Sequence, residues 1–129
     1  MDANVLFSAA YRESVGIQQL WQIADTNLVS SAYAINEARR NLSTLAQLSR
    51  LDKLLAAVQI VREPVPGAAL PADVALPDKD APILLAAIGA LATHLITGDK
   101  RHFGSLFGQT VAGVLIQPPA DFLQSRQTS

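Results

Sequence analysis

The sequence predicts an α/β fold in which a parallel, two-faced sheet is flanked by helices. Three observations carry this expectation. Strand-length apolar runs recur at Leu28-Val29-Ser30-Ser31, Val58-Gln59-Ile60-Val61, His94-Leu95-Ile96-Thr97 and Gly113-Val114-Leu115-Ile116. Segments with helical spacing separate them, the pattern of strands joined by crossover helices. The 129 residues show neither an internal repeat nor a second composition zone, which suits one domain over residues 1–123, followed by a frayed tail at 124–129.

Ala3-Asn4-Val5-Leu6-Phe7 is apolar enough for a short strand or its exit, and Gly16 to Ile23 reads as a short helix packed by Ile17, Leu20 and Trp21. The strand at 28–31 stops at a serine cap. From Ala32 to about Leu48, Ile35, Ala38, Leu42 and Leu45 recur at three- and four-residue intervals, predicting one long helix, with a second from Leu51 to Ala57. Residues 62–79 contain Pro64, Pro66, Gly67, Pro71 and Pro77, so they form a connection, with a short extended piece at Val74-Ala75-Leu76. A helix restarts at Asp80-Ala81-Pro82, where acids and proline favour an N-terminus, and continues through Ile83, Leu84, Ala87 and Leu91. The strand at 94–97 ends at Gly98-Asp99, and Pro118-Pro119 closes the last one.

Composition excludes several chemistries. The chain has no cysteine, so disulfides, thiolate metal sites and thiol catalysis are absent. His94 and His102 are too few for a histidine-rich zinc site. Ten Lys and Arg against eleven Asp and Glu give a net charge of −1, leaving only local basic patches to attract nucleic acid. The apolar stretch at 81–92 is broken by Pro82 and Gly89 and falls short of the ~20 residues of a membrane helix, so no membrane partner and a cytoplasmic location are expected. The glycines at 98, 104, 108 and 113 make no phosphate-binding fingerprint, which leaves nucleotide cofactors unsupported.

Asp2, Glu37, Asp80 and Asp99 each stand beside an apolar segment, and together they can assemble an oxygen-ligand site for Mg²⁺ or Mn²⁺ at a sheet edge. Solvated capping acids produce the same pattern: Asp78 and Asp80 suit a helix start, and Glu37 suits a solvated helix face. Asn41 lies one turn beyond Glu37 on the same face. For His102, a polar surface role is the better reading than acid–base chemistry. Trp21, Leu28 and Tyr33 offer a candidate homodimer or partner face if they are exposed.

Taken in order, Asp2-Ala3-Asn4-Val5-Leu6, Glu37-Ala38-Arg39-Arg40-Asn41-Leu42, Asp80-Ala81-Pro82-Ile83-Leu84-Leu85-Ala86-Ala87 and Leu95-Ile96-Thr97-Gly98-Asp99-Lys100-Arg101-His102-Phe103 resemble the PIN domain family. The likeness extends to Gly113-Val114-Leu115-Ile116-Gln117-Pro118 and Asp121-Phe122-Leu123, close to the closing segment of small bacterial members. It implies a three-layer fold with a central parallel sheet, and a metal-dependent endoribonuclease of the kind found as the toxin of toxin–antitoxin pairs. The implied partners are RNA and a small antitoxin. Carried over, Asp2, Glu37, Asp80 and Asp99 are the catalytic and metal-binding acids, with Asp2 and Asp99 the foremost direct ligands. Asn4, Asn41 and Thr97 are supporting polar residues, and Arg39, Arg40, Lys100 and Arg101 are candidate phosphate contacts. Water is the expected nucleophile.

The chain departs from the family in having only Met1 before Asp2, where members carry an apolar first strand. A truncated first strand is therefore expected to hold Asp2 loosely, to set a charged amino terminus beside the cation, and to weaken metal binding relative to a version with the strand restored. The alternative function is a catalytically weak or inactive PIN-fold module that binds RNA or protein. A phosphoryl-transfer or receiver-like protein fits less well, because Asp2-Ala3-Asn4 has no second acid at its third position.

Overall fold

The computed structural model describes residues 1–12, 15–23, 25–61 and 69–127. Within them the fold is mixed α/β. The order is α1 (Ala3–Tyr11), α2 (Val15–Gln18) running into a 3₁₀ turn (Gln19–Gln22), β1 (Leu28–Ser31), α3 (Ala32–Asn41), α4 (Leu45–Leu55), β2 (Val58–Val61), α5 (Ala81–Gly89), β3 (His94–Ile96), α6 (Lys100–Phe103), a 3₁₀ turn (Gly104–Leu106), β4 (Thr110–Val111), β5 (Val114–Gln117) and α7 (Pro119–Gln127).

The strands form two small sheets rather than one. In the first, β1 and β2 run parallel, with Leu28 opposite Val58 and Ser31 opposite Val61. In the second, ordered β3-β5-β4, β3 and β5 are parallel and β4 is antiparallel to β5. The division has a local cause at the amino terminus. Residues 3–7, expected as a short strand or its exit, are instead the first turns of α1, because the Asp2 carboxylate accepts the Ala3 N–H at 2.6 Å and caps the helix. Ala3, Leu6 and Ala10 then recur at helical spacing and enter the main core beside Ala34, Ile35 and Leu84.

The long helix expected over 32–48 is two helices. Leu42 leaves helical geometry at ψ 143, and Thr44 starts α4 with a capping box in which its hydroxyl accepts the Gln47 N–H while the Gln47 side chain accepts the Thr44 N–H. The tail expected to fray from Gln124 is helical to Gln127 in α7, which is seated by buried Phe122. Residues 69–79 contain turns and no strand, and Val74 and Leu76 rest half-buried on the core; the rest of the proline-rich connection, 62–68, lies outside the described residues. No helix among the described residues is long and apolar enough to cross a membrane.

Packing places α1 against α3 and α4, and α5 against β1 and β3. Leu6, Leu84 and Phe103 are fully buried, each worth roughly 1.5–3 kcal/mol of transfer free energy. Trp21 and Tyr33 are turned toward this core, where the Trp21 indole donates to the Leu54 carbonyl and the Tyr33 hydroxyl to that of Lys79. Leu28 packs on a second apolar cluster with Val5 and Leu20. Each of the three residues is thus partly buried.

Candidate metal centre

Ser31, Asp80 and Asp99 sit where strands or turns give way to helices, and this places acids from distant parts of the chain at one end of the fold. Ser31 ends β1 and caps α3 by accepting the Ala34 N–H, which sets Glu37 two turns along that helix. The Asp80 backbone carbonyl accepts the Ile83 N–H at the start of α5. Asp99 follows β3 and caps α6, accepting the His102 N–H at 3.1 Å.

All four sequence-identified acids line one pocket of about 570 Å³, with Asn4, Phe7, Asn41 and Lys79 among its other walls. Within it, the ligand atoms of Asp80, Asp99 and His102 lie within 4.8 Å of one another, and this group could hold a metal ion. His102 Nδ1 is 2.9 Å from Asp99 Oδ2 and 3.1 Å from Asp80 Oδ2. A ring nitrogen carries at most one hydrogen, so Nδ1 cannot donate to both carboxylates at once, and its hydrogen-bond geometry is with Asp99. Asp80 Oδ2 is left buried without a hydrogen-bond donor, an arrangement that ordinarily costs about 1–3 kcal/mol. The surface role expected for His102 is thus replaced by a place between two carboxylates. Its spacing of three from Asp99, one turn of a capped helix, was the signal available.

Asp2 is 4% exposed, and both of its oxygens are engaged. Oδ1 accepts the Ala3 N–H, while Oδ2 accepts the Thr97 hydroxyl at 2.7 Å and the Asn4 amide at 3.2 Å. Thr97, fully buried, also accepts the Asp99 N–H at 3.1 Å, so one hydroxyl ties two of the acids together. Asn4 closes the network by accepting the Gly98 N–H at 2.8 Å. The expected looseness of Asp2 is absent: the Met1 amino group donates to the Val29 carbonyl at 2.7 Å, the Asp2 N–H to that of Ile96 at 3.0 Å, and the Ser30 hydroxyl to that of Met1 at 2.9 Å.

The electrostatics are those of crowded carboxylates. Burial raises the Asp80 pKa, with Asp99 and Asp2 adding to the effect and His102 opposing it. Burial also raises Glu37, helped by Asp2 and Asp80. Asp2 is raised by burial against the pull of Thr97 and Ala3. Asp99 moves the other way: burial would raise it, but the backbone and ring hydrogen bonds from His102 prevail and hold it low. The Tyr33 phenol is pushed up by burial and then by Glu37 and Asp80.

The basic residues divide. Arg39 is committed to Asp52 at 2.9 Å on an exposed helix face. Lys79, overlooked in the sequence, lines the pocket, and it and Arg40 act on Glu37. Lys100 and Arg101 are exposed on α6. Asn41 donates its amide to the Glu37 backbone carbonyl. No family model, curated protein or solved structure matches the chain.

Proposed function

We propose that the protein is a Mg²⁺- or Mn²⁺-dependent hydrolase of RNA phosphodiester bonds. The observation that carries the metal part is the Asp80–Asp99–His102 group, in which a buried carboxylate oxygen has no donor. The donor set fits an oxygen-seeking divalent cation, and an imidazole nitrogen among the ligands favours Mn²⁺ over Mg²⁺. RNA as substrate rests on the resemblance of the sequence to PIN domains, as does the further reading that an antitoxin restrains the activity.

Asp80, Asp99 and His102 would hold the cation, with Glu37 and Asp2 on the adjoining wall. When bound, the cation would polarise the phosphate, lower the pKa of a water and stabilise the departing oxygen. The chain's own residues have separable tasks. Glu37, with its raised pKa, is suited to orient the attacking water and take its proton. Thr97 and Asn4 fix Asp2, and through Thr97 the backbone at Asp99, so the acids keep their spacing. Lys79 on the pocket wall and Arg40, Lys100 and Arg101 nearby in sequence to the acids can contact backbone phosphates.

One observation favours a second reading, a module that binds RNA or protein without cutting. Asp2 is satisfied by internal hydrogen bonds and stands outside the three-residue ligand group, so the acid set can serve as a structural clasp. Cleavage of an end-labelled, mixed-sequence RNA pool in EDTA, Mg²⁺ or Mn²⁺ separates the two. The hydrolase gives cation-dependent products that vanish in Asp99→Ala; a binding module gives no products while retaining RNA in a mobility shift.

A further inference from the structure

Helix α1 has two faces. Ala3, Leu6 and Ala10 enter the main core, while Asn4, Phe7 and Tyr11 recur at intervals of three and four residues along the outer side. This outer row starts in the acidic pocket, whose walls include Asn4 and Phe7, and continues beyond it. Tyr11 stands one helical turn past Phe7, ~6 Å further along the axis, and is 52% exposed. The two rings pack with centroids 5.3 Å apart and planes tilted by 34°. Half-buried Phe7 rests on the core and braces Tyr11, whose hydroxyl bonds to none of the described residues.

Cations follow the rings. Arg12 directly succeeds Tyr11 and is exposed. Arg50 of α4 donates to the Ala10 carbonyl at 2.7 Å and the Gln47 amide to the Tyr11 carbonyl at 3.2 Å, which sets a second guanidinium at the end of α1 and fixes the backbone that carries Tyr11. Among the described residues neither Arg12 nor Arg50 is paired with a carboxylate, whereas Arg39 is held by Asp52.

We infer that Phe7 and Tyr11 form a stacking platform for an unpaired base of a single RNA strand. The assignment, which rests on the reading of the acidic pocket as the RNA site, narrows the substrate to unpaired RNA. A pocket for one phosphate, an aromatic ring for a base and arginines for the next phosphate follow one another along α1, and that alternation matches the repeat of a nucleic-acid strand. A base inside a duplex has its faces covered by neighbouring pairs and cannot lie on Tyr11, whereas a splayed base can. Every base has a π face, so the platform selects an open strand rather than a sequence.

Stopped-flow fluorescence with a short single-stranded RNA carrying one fluorescent purine analogue, and with the same strand in a duplex, reads binding before any cleavage. In Mn²⁺ the parent should bind the single strand roughly tenfold more tightly than the duplex and quench the analogue. Tyr11→Ala should weaken single-strand binding about 5–30-fold and abolish the quench, and Tyr11→Trp should restore both. Tyr11→Leu, which keeps apolar bulk without a π face, should behave as Tyr11→Ala does. Parent-like single-strand affinity in Tyr11→Ala, or equal affinity of the parent for strand and duplex, overturns the inference. So does a parent dimer that Tyr11→Ala dissociates in light scattering, which would assign the row to a second copy. The two readings fail separately. Cleavage in Mn²⁺ with a KM unmoved by Tyr11→Ala removes the platform and keeps the hydrolase, while Tyr11-dependent quenching without cleavage removes the hydrolase and keeps the platform.

Discussion

Replacing Asp80 by Asn should make the cation-free protein more stable while abolishing its response to metal. Asp80 is 8% exposed, its Oδ2 has no donor, and Asp2 and Asp99 both oppose its ionisation. Relieving one unsatisfied buried oxygen is worth about 1–3 kcal/mol. Loss of the 3.1 Å contact with His102 returns part of that, leaving a gain of about 1–2 kcal/mol, or a rise in Tm of roughly 3–8 °C for a domain of this size. The parent should gain about 2.7 kcal/mol when Mn²⁺ is at a hundred times its Kd, and the variant less than a third of that. Thermal unfolding in EDTA and in Mn²⁺ reads both effects. An Asn variant that is less stable than the parent in EDTA, or that rises equally with Mn²⁺, would refute the reasoning, because the crowding of Asp80 would then not be held for a cation.

Further outcomes follow from the same geometry. Thr97→Val removes the hydroxyl shared by Asp2 and Asp99 and should cost about 1–3 kcal/mol in denaturant unfolding, with Thr97→Ser close to the parent. His102→Ala should weaken Mn²⁺ more than Mg²⁺ in calorimetric titration, since only nitrogen ligation separates the two ions here; an equal loss would place His102 outside the ligand set. The Met1 amine binds its proton less tightly when folded, so stability should increase as pH rises from about 6 to 8, by up to about 2–3 kcal/mol, and Nα-acetylation should flatten that rise. The raised acids Asp2, Glu37 and Asp80 carry the opposite slope, stability falling as pH climbs from the usual carboxylate range through their folded pKa values, whereas Asp99 contributes stability that is lost on acidification. Leu91 has φ 56 and is 88% exposed after α5; Leu91→Gly should gain about 0.5–1 kcal/mol in chemical denaturation.

The four principal strands were legible because each is a short apolar run bounded by turn or capping residues. The first segment was not, because the short run Ala3-Asn4-Val5-Leu6-Phe7 satisfies either period, and the decision fell to a single carboxylate capping Ala3. Likewise Ile35, Ala38, Leu42 and Leu45 keep helical spacing straight across a break; the local signal was Thr44 followed three residues later by Gln47, which outweighs the periodicity. At the candidate site, spacing could nominate acids but not bring Glu37 and Asp80 to one pocket, since that depends on how α3 and α5 cross the sheets. Burial of the Asp80 oxygen and the place of the His102 ring are tertiary facts with only faint local signals. The two-sheet arrangement was hidden for the same reason: with residues 3–11 helical, the backbone of Met1 and Asp2 bonds to β1 and β3 at Val29 and Ile96.

The central claim, that Asp80, Asp99 and His102 hold a divalent cation, is tested most directly by anomalous diffraction from crystals of the protein soaked in Mn²⁺. The account predicts one principal peak within coordination distance of Asp80 Oδ2 and an Asp99 oxygen, absent in Asp80→Asn crystals. Fully ordered carboxylates with no peak among them at saturating Mn²⁺ would contradict it.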